Sequence, residues 1–382
     1  MRRLDEPWVK WPATQRVFSA LATVGCKGYF VGGCVRDALL SKPVTDIDIA
    51  TDATPEVARK ACEVAGLRVV PTGLDHGTIT VISRGKHFEV TTFRKDISTD
   101  GRRANVIFSK AIEEDAARRD FTMNALYADH VGLVIDPLGG LPDLEARAIR
   151  FIGDAHDRIT EDYLRILRFF RFYAWYGDPQ VGPDPDALSA IAELGDGLAV
   201  LSAERVTAEL VKLLSAPDPA PAVGLMEQTG ILARILPGAT ARALAPLVHI
   251  EQGGQGHSMR RLAALGLEVD VSHLRLSRVQ QRGLTAIRDL AANDFNPAEA
   301  GYFYGAEVAL DGALVRAALS EQMLPRGMSA KIARGASAEF PVKAADLQPG
   351  LSGPDLGTKL KELEAAWIAS DFVLTQEDLL RL

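Results

Sequence analysis

The most constraining feature of this sequence is a stretch near the N-terminus that combines glycine, arginine and aspartate. It runs from Val31 to Ala50 and reads VGGCVRDALLSKPVTDIDIA. Its glycine pair, Gly32 and Gly33, follows a strand-like run and precedes a predicted helix, so backbone N–H groups there can approach a phosphate without hindrance from a Cβ atom. Arg36, one turn into that helix, can bind the same anion. A glycine pair alone is most often only a tight turn, so the rest of the stretch decides the interpretation.

The second half of this stretch, DIDIA, is typical of a half-buried β-strand. The period of two along a strand places Asp46 and Asp48 on one face, while Ile47 and Ile49 point into the core. Two carboxylates on one face repel each other unless a cation lies between them, and Mg²⁺ favours carboxylate oxygens together with substrate phosphates. We therefore predict that Asp46 and Asp48 are catalytic residues that bind Mg²⁺ in a two-metal site, which activates an attacking hydroxyl and neutralises a leaving phosphate.

A third acidic candidate for the same site is Glu89, in the alternating run HFEVTTFR. The alternation separates Glu89 from the apolar face of the predicted strand. If this strand lies beside DIDIA, Glu89 adds a catalytic carboxylate to the site. The alternative is a surface glutamate paired with Arg94 or Lys86, and the sequence leaves both open.

Downstream, RRDFTMNALYAD (Arg118–Asp129) is predicted to be helical, with three polar residues in an apolar-leaning run. Asp120 and Asn124 are one helical turn apart and can share a ligand. Arg119 suits a phosphate or a ribose. Taken alone, the run is also an ordinary helix start with an aspartate near the positive end of the dipole.

A second arginine-rich segment, EDYLRILRFFRFYAWYG (Glu161–Gly177), predicts an amphipathic helix. At about 100° per residue, its apolar side chains share a core face. Arg165, Arg168 and Arg171 fall outside that face, with Asp162 next to Arg165. The alternative is a solvated basic face with an ordinary Asp–Arg pair.

The distribution of patterns along the chain favours an α+β fold followed by an all-α part. Short strand-like runs occur only in the first ~150 residues, and from Phe151 onward apolar residues recur at helical spacing. Helices are predicted at Pro12–Val24, Ala203–Leu214, Met259–Leu267, Ser277–Ala292 and Ala306–Leu319.

Charge and cysteine content limit the possible partners and compartments. The chain has 43 Lys and Arg against 50 Asp and Glu, a net charge of −7, which argues weakly against a nucleic-acid partner. Its three cysteines have no CxxC spacing, which argues against a disulfide framework or a zinc site and fits a reducing compartment. No apolar run approaches the length of a membrane span, so we expect a cytoplasmic protein without membrane contact.

Together, these motifs resemble those of the class II tRNA nucleotidyltransferase and bacterial poly(A) polymerase superfamily, most closely its CCA-adding tRNA nucleotidyltransferases. The glycine turn and DIDI resemble that family's triphosphate and metal motif, RRDFTMNAL its ribose-sensing motif, and EDYLRILRFFRF its base-selecting helix. DISTDGRR is similar to the flexible loop of enzymes that incorporate A as well as C; its loop residues are Asp100, Gly101, Arg102 and Arg103. Pro341–Phe372 resembles the family's tail region less closely.

The resemblance implies a polymerase-beta-type nucleotidyltransferase head with a mixed β-sheet and helices, followed by an all-α neck, body and tail. The implied boundaries are 1–150 for the catalytic head, 151–215 for the neck with the base-selecting helix, 216–295 for the body and 296–382 for a tRNA-binding tail. The implied reaction is the template-independent, Mg²⁺-dependent addition of CMP and AMP, from the substrates CTP and ATP, to the 3′ end of tRNA with release of pyrophosphate. The implied partner is tRNA, through its 3′ end and its acceptor and elbow region.

The same resemblance gives roles to the candidate residues. The nucleotide triphosphate would be bound by Gly32, Gly33, Arg36, Arg119, Asp120 and Asn124. Asp162 and Arg165 would select the base, because an acceptor beside a donor fits cytosine and adenine, whereas uracil and guanine reverse that pattern. Further nucleotide or primer contacts would come from Glu161, Arg168 and Arg171.

Other functions stay open at this point. A poly(A) polymerase or an A-adding-only enzyme uses the same head motifs, although no long basic C-terminal extension for generic RNA is apparent. A catalytically silent tRNA-binding protein belongs to a different class, and the presence of both aspartates counts against it. A phosphohydrolase of the HD type is a further alternative, but the one His-Asp doublet, His156–Asp157, precedes the arginine-rich helix instead of lying in the C-terminal half.

Overall fold

The computed structural model describes residues 2–99, 104–251, 256–348 and 350–382. The predicted loop residues Asp100, Gly101, Arg102 and Arg103 therefore lie outside the described residues. The chain divides into two compact units: the first contains Met1–Leu213 and Leu225–Ile235, and the second contains Leu214–Gly224 and Leu236–Leu382. The finer boundaries at residues 150, 215 and 295 stay predictions.

All strands of the described residues precede residue 136, which confirms an α+β part followed by an all-α part. They are β1 (Gly28–Val31), β2 (Asp48–Thr51), β3 (Arg68–Gly73), β4 (Thr78–Ser83), β5 (Lys86–Thr92), β6 (Arg94–Thr99), β7 (Ala104–Phe108), β8 (Tyr127–Ala128) and β9 (Val134–Ile135). Seven of them form one sheet in the order β3-β4-β5-β2-β1-β8-β9, and β6 pairs with β7. In the sheet, β2 and β5 are parallel and the other neighbours are antiparallel.

The helices extend over both units. They are α1 (Pro12–Thr23), α2 (Gly33–Leu39), α3 (Pro55–Val64), α4 (Ile112–Ala117), α5 (Leu141–Ala146), α6 (Ala155–Glu161), α7 (Leu164–Tyr176), α8 (Pro185–Leu194), α9 (Ala203–Leu214), α10 (Ala220–Gln228), α11 (Ile231–Ile235), α12 (Leu244–Ile250), α13 (Ser258–Ala264), α14 (Arg278–Ala292), α15 (Pro297–Leu319), α16 (Met328–Ala336), α17 (Gly353–Ala369) and α18 (Gln376–Leu380). Short 3₁₀ helices occur at Pro7–Lys10, Leu74–His76, Thr122–Asn124, Gly195–Val200 and Ala344–Leu347. Over the described ranges, no helix has the length and apolar character needed to cross a membrane.

The sheet has one covered and one open face where the predicted site lies. On β5, Phe88 and Val90 are buried while His87 and Glu89 are exposed, as the period of two requires. Ile49 of β2 is also fully buried. The apolar side chains therefore anchor the sheet from one side, and the carboxylates project from the other.

The predicted helix over Arg118–Asp129 is wrong. This segment forms the short 3₁₀ helix Thr122–Asn124 and then strand β8. The Asp120 carboxylate accepts hydrogen bonds from the Phe121 N–H and from Asn124 Nδ2, both at 2.9 Å, and such local side-chain bonding competes with helical hydrogen bonds. The residues that follow, from Ala125 through Ala128, are all fully buried. A segment buried on every side has no amphipathic period that distinguishes strand from helix.

The predicted arginine-rich helix forms, but it begins later than the sequence indicates. α7 starts at Leu164, and Glu161 is the last residue of α6. Asp162 lies between the two helices in extended conformation, with φ −156° and ψ 103°. The direction of the Asp162 side chain therefore cannot be extrapolated from the helical wheel of α7.

Candidate active site

The glycine turn after β1 faces two guanidinium groups. Gly32 has a φ of 67° and a ψ of −121°, a conformation that is costly for residues with a side chain. A Cβ atom at Gly32 would lie 3.2 Å from Arg119 Nη1, and one at Gly33 would lie 3.7 Å from Arg36 Nη2. The turn and the two arginines thus form a cradle whose exposed groups are hydrogen-bond donors, which suits an anion.

The predicted carboxylates come together at the start of β2. Asp48 is the first residue of that strand and lies directly opposite Glu89 of the parallel neighbour β5. Asp46 is exposed and precedes the strand, so only part of DIDIA is extended strand. All three carboxylates line one cavity of about 450 Å³. The two bases that the sequence offers as partners of Glu89 contact other groups: Lys86 Nζ lies over the ring of Trp11, and Arg94 donates to the carbonyl of His76. The catalytic role of Glu89 stays a prediction.

Burial and, to a smaller extent, neighbouring negative charges disfavour the ionised form of Asp48 in this cluster. Burial raises the pKa of Asp48 to about 6; the negative charges of Glu89 and Asp46 act in the same direction, while Arg119 opposes them. A divalent cation relieves this repulsion. Within the described ranges, no group of three or more His, Cys, Asp or Glu side chains is already arranged tightly enough to hold a metal ion.

Arg36 connects the glycine turn to two other predicted motifs. It is only 7% exposed. Its Nη1 donates to Asn124 Oδ1 at 2.6 Å, its Nη2 to the Tyr176 hydroxyl at 2.7 Å, and its Nε to Asp37 Oδ1 at 2.9 Å. The guanidinium also lies over the ring of Tyr176. Arg36 therefore holds the end of α7 and the ribose-motif asparagine in fixed positions beside Gly33.

Arg119 is held by two residues that the sequence interpretation missed, Asp115 and Tyr127. Arg119 Nη2 donates to Asp115 Oδ2 at 3.0 Å and its Nε to the Tyr127 hydroxyl at 3.2 Å, while that hydroxyl donates to Asp115 at 2.7 Å. Burial raises the pKa of Asp115, but Arg119, Arg118 and the Tyr127 hydroxyl outweigh it and hold that pKa below its usual value. The sequence does carry one signal for this contact, an acid four residues before Arg119.

The ribose-motif residues contact α7. Asp120 accepts from Arg168 Nε at 2.7 Å as well as from Asn124. Burial raises the pKa of Asp120, while Arg168 and the hydrogen bonds outweigh it and keep that pKa below its usual value. Asp120 and Asn124 thus lie together, as predicted, although a non-helical turn brings this about.

The two predicted base-selecting residues are close in sequence but bind different partners. Asp162 Oδ2 accepts from Arg205 Nη2 at 2.7 Å, and Arg165 Nη1 donates to Glu161 Oε2 at 2.6 Å. Arg171 is bound by Glu209 of α9 at 2.5 Å. Sequence reasoning missed Arg205 and Glu209, which lie about one helical turn apart on α9.

The arginines of α7 are not a solvated basic face. The side chains of Arg165, Arg168 and Arg171 are 11%, 31% and 14% exposed. Each is fixed by a carboxylate from another part of the first unit or from the end of α6. The site therefore combines oriented cationic donors, a carboxylate cluster and an acceptor–donor set near the start of α7.

Comparison with known proteins agrees with this geometry. The profile described as "Poly A polymerase head domain" matches residues 28–150, and that described as "Probable RNA and SrmB- binding site of polymerase A" matches residues 182–242. The chain is 33% identical over 368 residues to mitochondrial CCA tRNA nucleotidyltransferase 1 of Mus musculus, covering 91% of this chain and 84% of the mouse protein. It is 42% identical over 226 residues to the CCA-adding enzyme of Geobacillus stearothermophilus, covering 58% of this chain and 54% of that enzyme.

Solved structures give the same relationship. The crystal structure of the Bacillus stearothermophilus CCA-adding enzyme in complex with CTP matches with a TM-score of 0.72 and 31% identity, covering 94% of each chain. The Thermotoga maritima CCA-adding enzyme complexed with tRNA shares the fold, with a TM-score of 0.70 at 18% identity over 100% of this chain and 98% of that one. The chain therefore belongs to the class II tRNA nucleotidyltransferase and poly(A) polymerase superfamily, in the family of the CCA-adding enzymes.

Proposed function

We propose that this protein is a CCA-adding tRNA nucleotidyltransferase, which adds CMP and AMP from CTP and ATP to the 3′ end of tRNA without a template and releases pyrophosphate. The observation that carries this proposal is the placement of the carboxylates of β2 and β5 beside a glycine turn that faces two guanidinium groups. Family membership supports it, since the mouse relative, 33% identical and matched over 84% of its length, is named a CCA tRNA nucleotidyltransferase.

The carboxylate cluster fits Mg²⁺, because its oxygens are hard ligands and their mutual repulsion needs a counter-charge. Asp46 and Asp48 would hold the metal, with Glu89 as the third catalytic carboxylate. When bound there, Mg²⁺ supplies charge neutralisation at the transferring phosphate and favours ionisation of the attacking hydroxyl, as in two-metal sites. Asp48 is the first residue of β2, so the pairing of β2 with β5 fixes its backbone directly opposite Glu89.

The triphosphate binds at the glycine turn. The backbone of Gly32 and Gly33 and the guanidinium of Arg119 contact its oxygens, and Arg36 contributes the one N–H that its bonds to Asp37, Asn124 and Tyr176 leave over. Asp120 and Asn124 form the adjoining ribose-side contact. Because these donors are fixed before the nucleotide arrives, the site stabilises developing charge without reorganising.

Base selection belongs to Asp162 and Arg165. The Asp162 carboxylate accepts one hydrogen bond from Arg205 and one from the Leu164 N–H. Its remaining lone pairs can accept a hydrogen bond from the amino group of cytosine or adenine. Arg165 donates to Glu161 and to the carbonyls of Arg158 and Arg118, which leaves its Nε–H and one Nη2–H for a ring nitrogen. Uracil and guanine would set a carbonyl against the carboxylate, and such buried mismatches are strongly rejected.

The remaining α7 contacts support the nucleotide and the primer end. Arg168 is the most exposed of the three α7 arginines and can reach a ligand while it stays bound to Asp120. Glu161 and Arg171 complete this set. Glu161 orients Arg165, and Arg171 is itself held by its bond to Glu209.

The same proposal assigns a role to each segment of the chain. Residues 1–150 form the catalytic head and 151–215 the neck with base selection, while the body and tail, 216–295 and 296–382, bind the acceptor and elbow region of tRNA. The cysteines Cys26, Cys34 and Cys62 are free thiols, which supports a reducing compartment such as the cytoplasm.

Two RNA substrates test the function: tRNA that lacks CCA and tRNA that ends in CC, each with CTP and ATP supplied separately and together. We expect products ending in CCA from both substrates when both nucleotides are present. Addition of A only to the CC-ending substrate would identify an A-adding enzyme. Long A tracts on any RNA would identify a poly(A) polymerase. Binding of tRNA without any extension would identify a silent binding protein.

A further inference from the structure

The cavity that holds the carboxylates extends across the sheet in the direction away from the glycine turn. Direct cross-strand pairs connect Asp48 with Glu89, Glu89 with Thr80, and Thr80 with Val70, so one row of side chains crosses β2, β5, β4 and β3. Beyond the carboxylates and Ile47, the lining residues belong to β3, β4 and β5; they are Val70, Thr72, Thr80, Ile82 and His87. We call this part of the cavity the β3–β5 pocket.

The chemistry of the β3–β5 pocket suits a ribose better than a phosphate. The Thr72 and Thr80 hydroxyls lie 2.9 Å apart, and each can both donate and accept a hydrogen bond. Val70 and Ile82 offer apolar surface beside them. None of the described residues that line the pocket is a lysine or arginine, so the pocket lacks the charge that a phosphate requires.

The order of the strands places this pocket on the side from which the nucleophile must arrive. β1, with its glycine turn, and β8 lie on one side of β2, and β5, β4 and β3 lie on the other. In phosphoryl and nucleotidyl transfer, the attacking and leaving oxygens lie roughly in line on opposite sides of the phosphorus. With the leaving pyrophosphate at the glycine turn, the attacking 3′-hydroxyl approaches from the β5 side.

We propose that the β3–β5 pocket binds the terminal nucleoside of the RNA 3′ end that is being extended, and that the Thr80 and Thr72 hydroxyls contact its 2′-hydroxyl. The inference rests on the proposed function and adds to it a residue-level site for the acceptor. It also predicts a preference for RNA ends over DNA ends, because the 2′-hydroxyl is the group that distinguishes RNA from DNA at a single nucleotide.

The test uses Thr80→Val and Thr72→Val, which keep the side-chain shape and replace the hydroxyl with a methyl group. Thr78→Val is the matched control: Thr78 shares strand β4 and its face with Thr80, but its hydroxyl pairs with Thr91 at 3.0 Å and it does not line the pocket. The substrates are tRNA ending in CC with either a normal or a 2′-deoxy terminal cytidine. Two quantities are measured: kcat/KM for A addition, and the equilibrium affinity for each RNA in EDTA.

We expect the wild-type protein and Thr78→Val to favour the normal end over the 2′-deoxy end by about 3- to 10-fold, the worth of one net hydrogen bond. In Thr80→Val and Thr72→Val this ratio falls to near one, in kinetics and in binding, while the KM for ATP stays unchanged.

Any one of three results would overturn the inference. In the first, the wild-type protein uses and binds the two RNA ends equally well. In the second, the threonine variants lower kcat/KM and affinity equally for both RNA ends, and in the third they change only the KM for ATP. If the wild-type protein extended neither RNA, the proposed function would fail instead, and the binding ratio in EDTA would still decide whether the pocket reads the 2′-hydroxyl.

Discussion

Removal of the Tyr127 hydroxyl group is the smallest change that tests how Arg119 is held in position. Tyr127 is fully buried, and its hydroxyl donates to Asp115 at 2.7 Å and accepts from Arg119 at 3.2 Å. Tyr127→Phe removes both hydrogen bonds but keeps the ring and its edge contact with Phe93. The variant therefore creates no large cavity, and its effect reports the polar network alone.

The expected loss in the free energy of unfolding follows from the charges on the two partners of the hydroxyl, Asp115 and Arg119. Hydrogen bonds to charged groups contribute about 1.5–3 kcal/mol each, and a buried carboxylate that loses a donor costs more than a neutral group. Because Asp115 keeps its two arginine partners, we expect a loss of about 2 kcal/mol at pH 7. For a unit of this size that lowers the midpoint of thermal unfolding by about 4–8 °C.

The loss should also depend on pH in a defined direction. The folded-state pKa of Asp115 lies below the usual value of 3.8, so its ionised form stabilises the fold at pH above that value, and this contribution disappears as the pH falls through the folded-state pKa. Tyr127→Phe moves the pKa of Asp115 back toward its usual value. The difference in stability between the wild type and Tyr127→Phe should therefore be largest near neutral pH and shrink below about pH 4.

Urea unfolding at pH 7, 5 and 3.5 measures this difference, and the KM for CTP reports the position of Arg119, which we expect the variant to impair. Tyr29→Phe is the control, because Tyr29 packs against the same Phe93 ring and its hydroxyl has no hydrogen-bond partner among the described residues. A stability difference that is the same at all three pH values would refute the assignment of the hydroxyl to an ionised Asp115. An equal loss in Tyr29→Phe would show that packing, not hydrogen bonding, is responsible.

Substitutions at three further residues test other parts of the site. Asp48→Asn should abolish nucleotide transfer yet raise the thermal midpoint of the metal-free protein, more at pH 8 than at pH 5, because burial raises the pKa of Asp48 to about 6 and disfavours its ionised form; transfer at near wild-type rate would exclude it as a metal ligand. Asp162→Ala should reduce the preference for CTP over UTP by about 10-fold or more, as measured with both nucleotides in competition, and an unchanged preference would exclude it from base selection. Tyr176→Phe removes a 2.7 Å bond to Arg36 but keeps the ring beneath its guanidinium; we expect a lower kcat with CTP and ATP alike, at unchanged base preference, and a larger loss in Tyr176→Leu.

The parts of the site that depend on short-range periodicity were predictable from the sequence. The alternation of DIDIA and HFEVTTFR placed Asp48 and Glu89 on the strand faces opposite the apolar core, and the structure pairs them directly across two parallel strands. The predicted helix at Ala203–Leu214 agrees with α9 in both bounds. In each case the pattern repeats because one side of the element is buried and the other is not.

The parts that depend on distant partners were not predictable in the same way. The bond between Arg168 and Asp120 joins residues that are 48 positions apart, and that between Arg171 and Glu209 joins residues 38 positions apart. A helical wheel shows that such arginines lie outside the apolar face, but not which acid meets them. The sequence also does not show where α7 begins: Asp162 is extended, and its carboxylate accepts hydrogen bonds both from the Leu164 N–H and from the distant Arg205.

The net negative charge of the chain is compatible with the proposed nucleic-acid substrate because of how the arginines are paired. Every arginine of the three motifs has a carboxylate partner: Arg36 with Asp37, Arg118 and Arg119 with Asp115, Arg165 with Glu161, Arg168 with Asp120, and Arg171 with Glu209. The active site is thus not a simple basic cleft, because its cationic groups are already neutralised. What the pairing provides is orientation: a guanidinium whose position is fixed by an acid still presents its remaining N–H groups to one place. Such a site distinguishes ligands by the geometry of their acceptors and attracts polyanions in general only weakly, as the proposed addition of a defined sequence without a template requires.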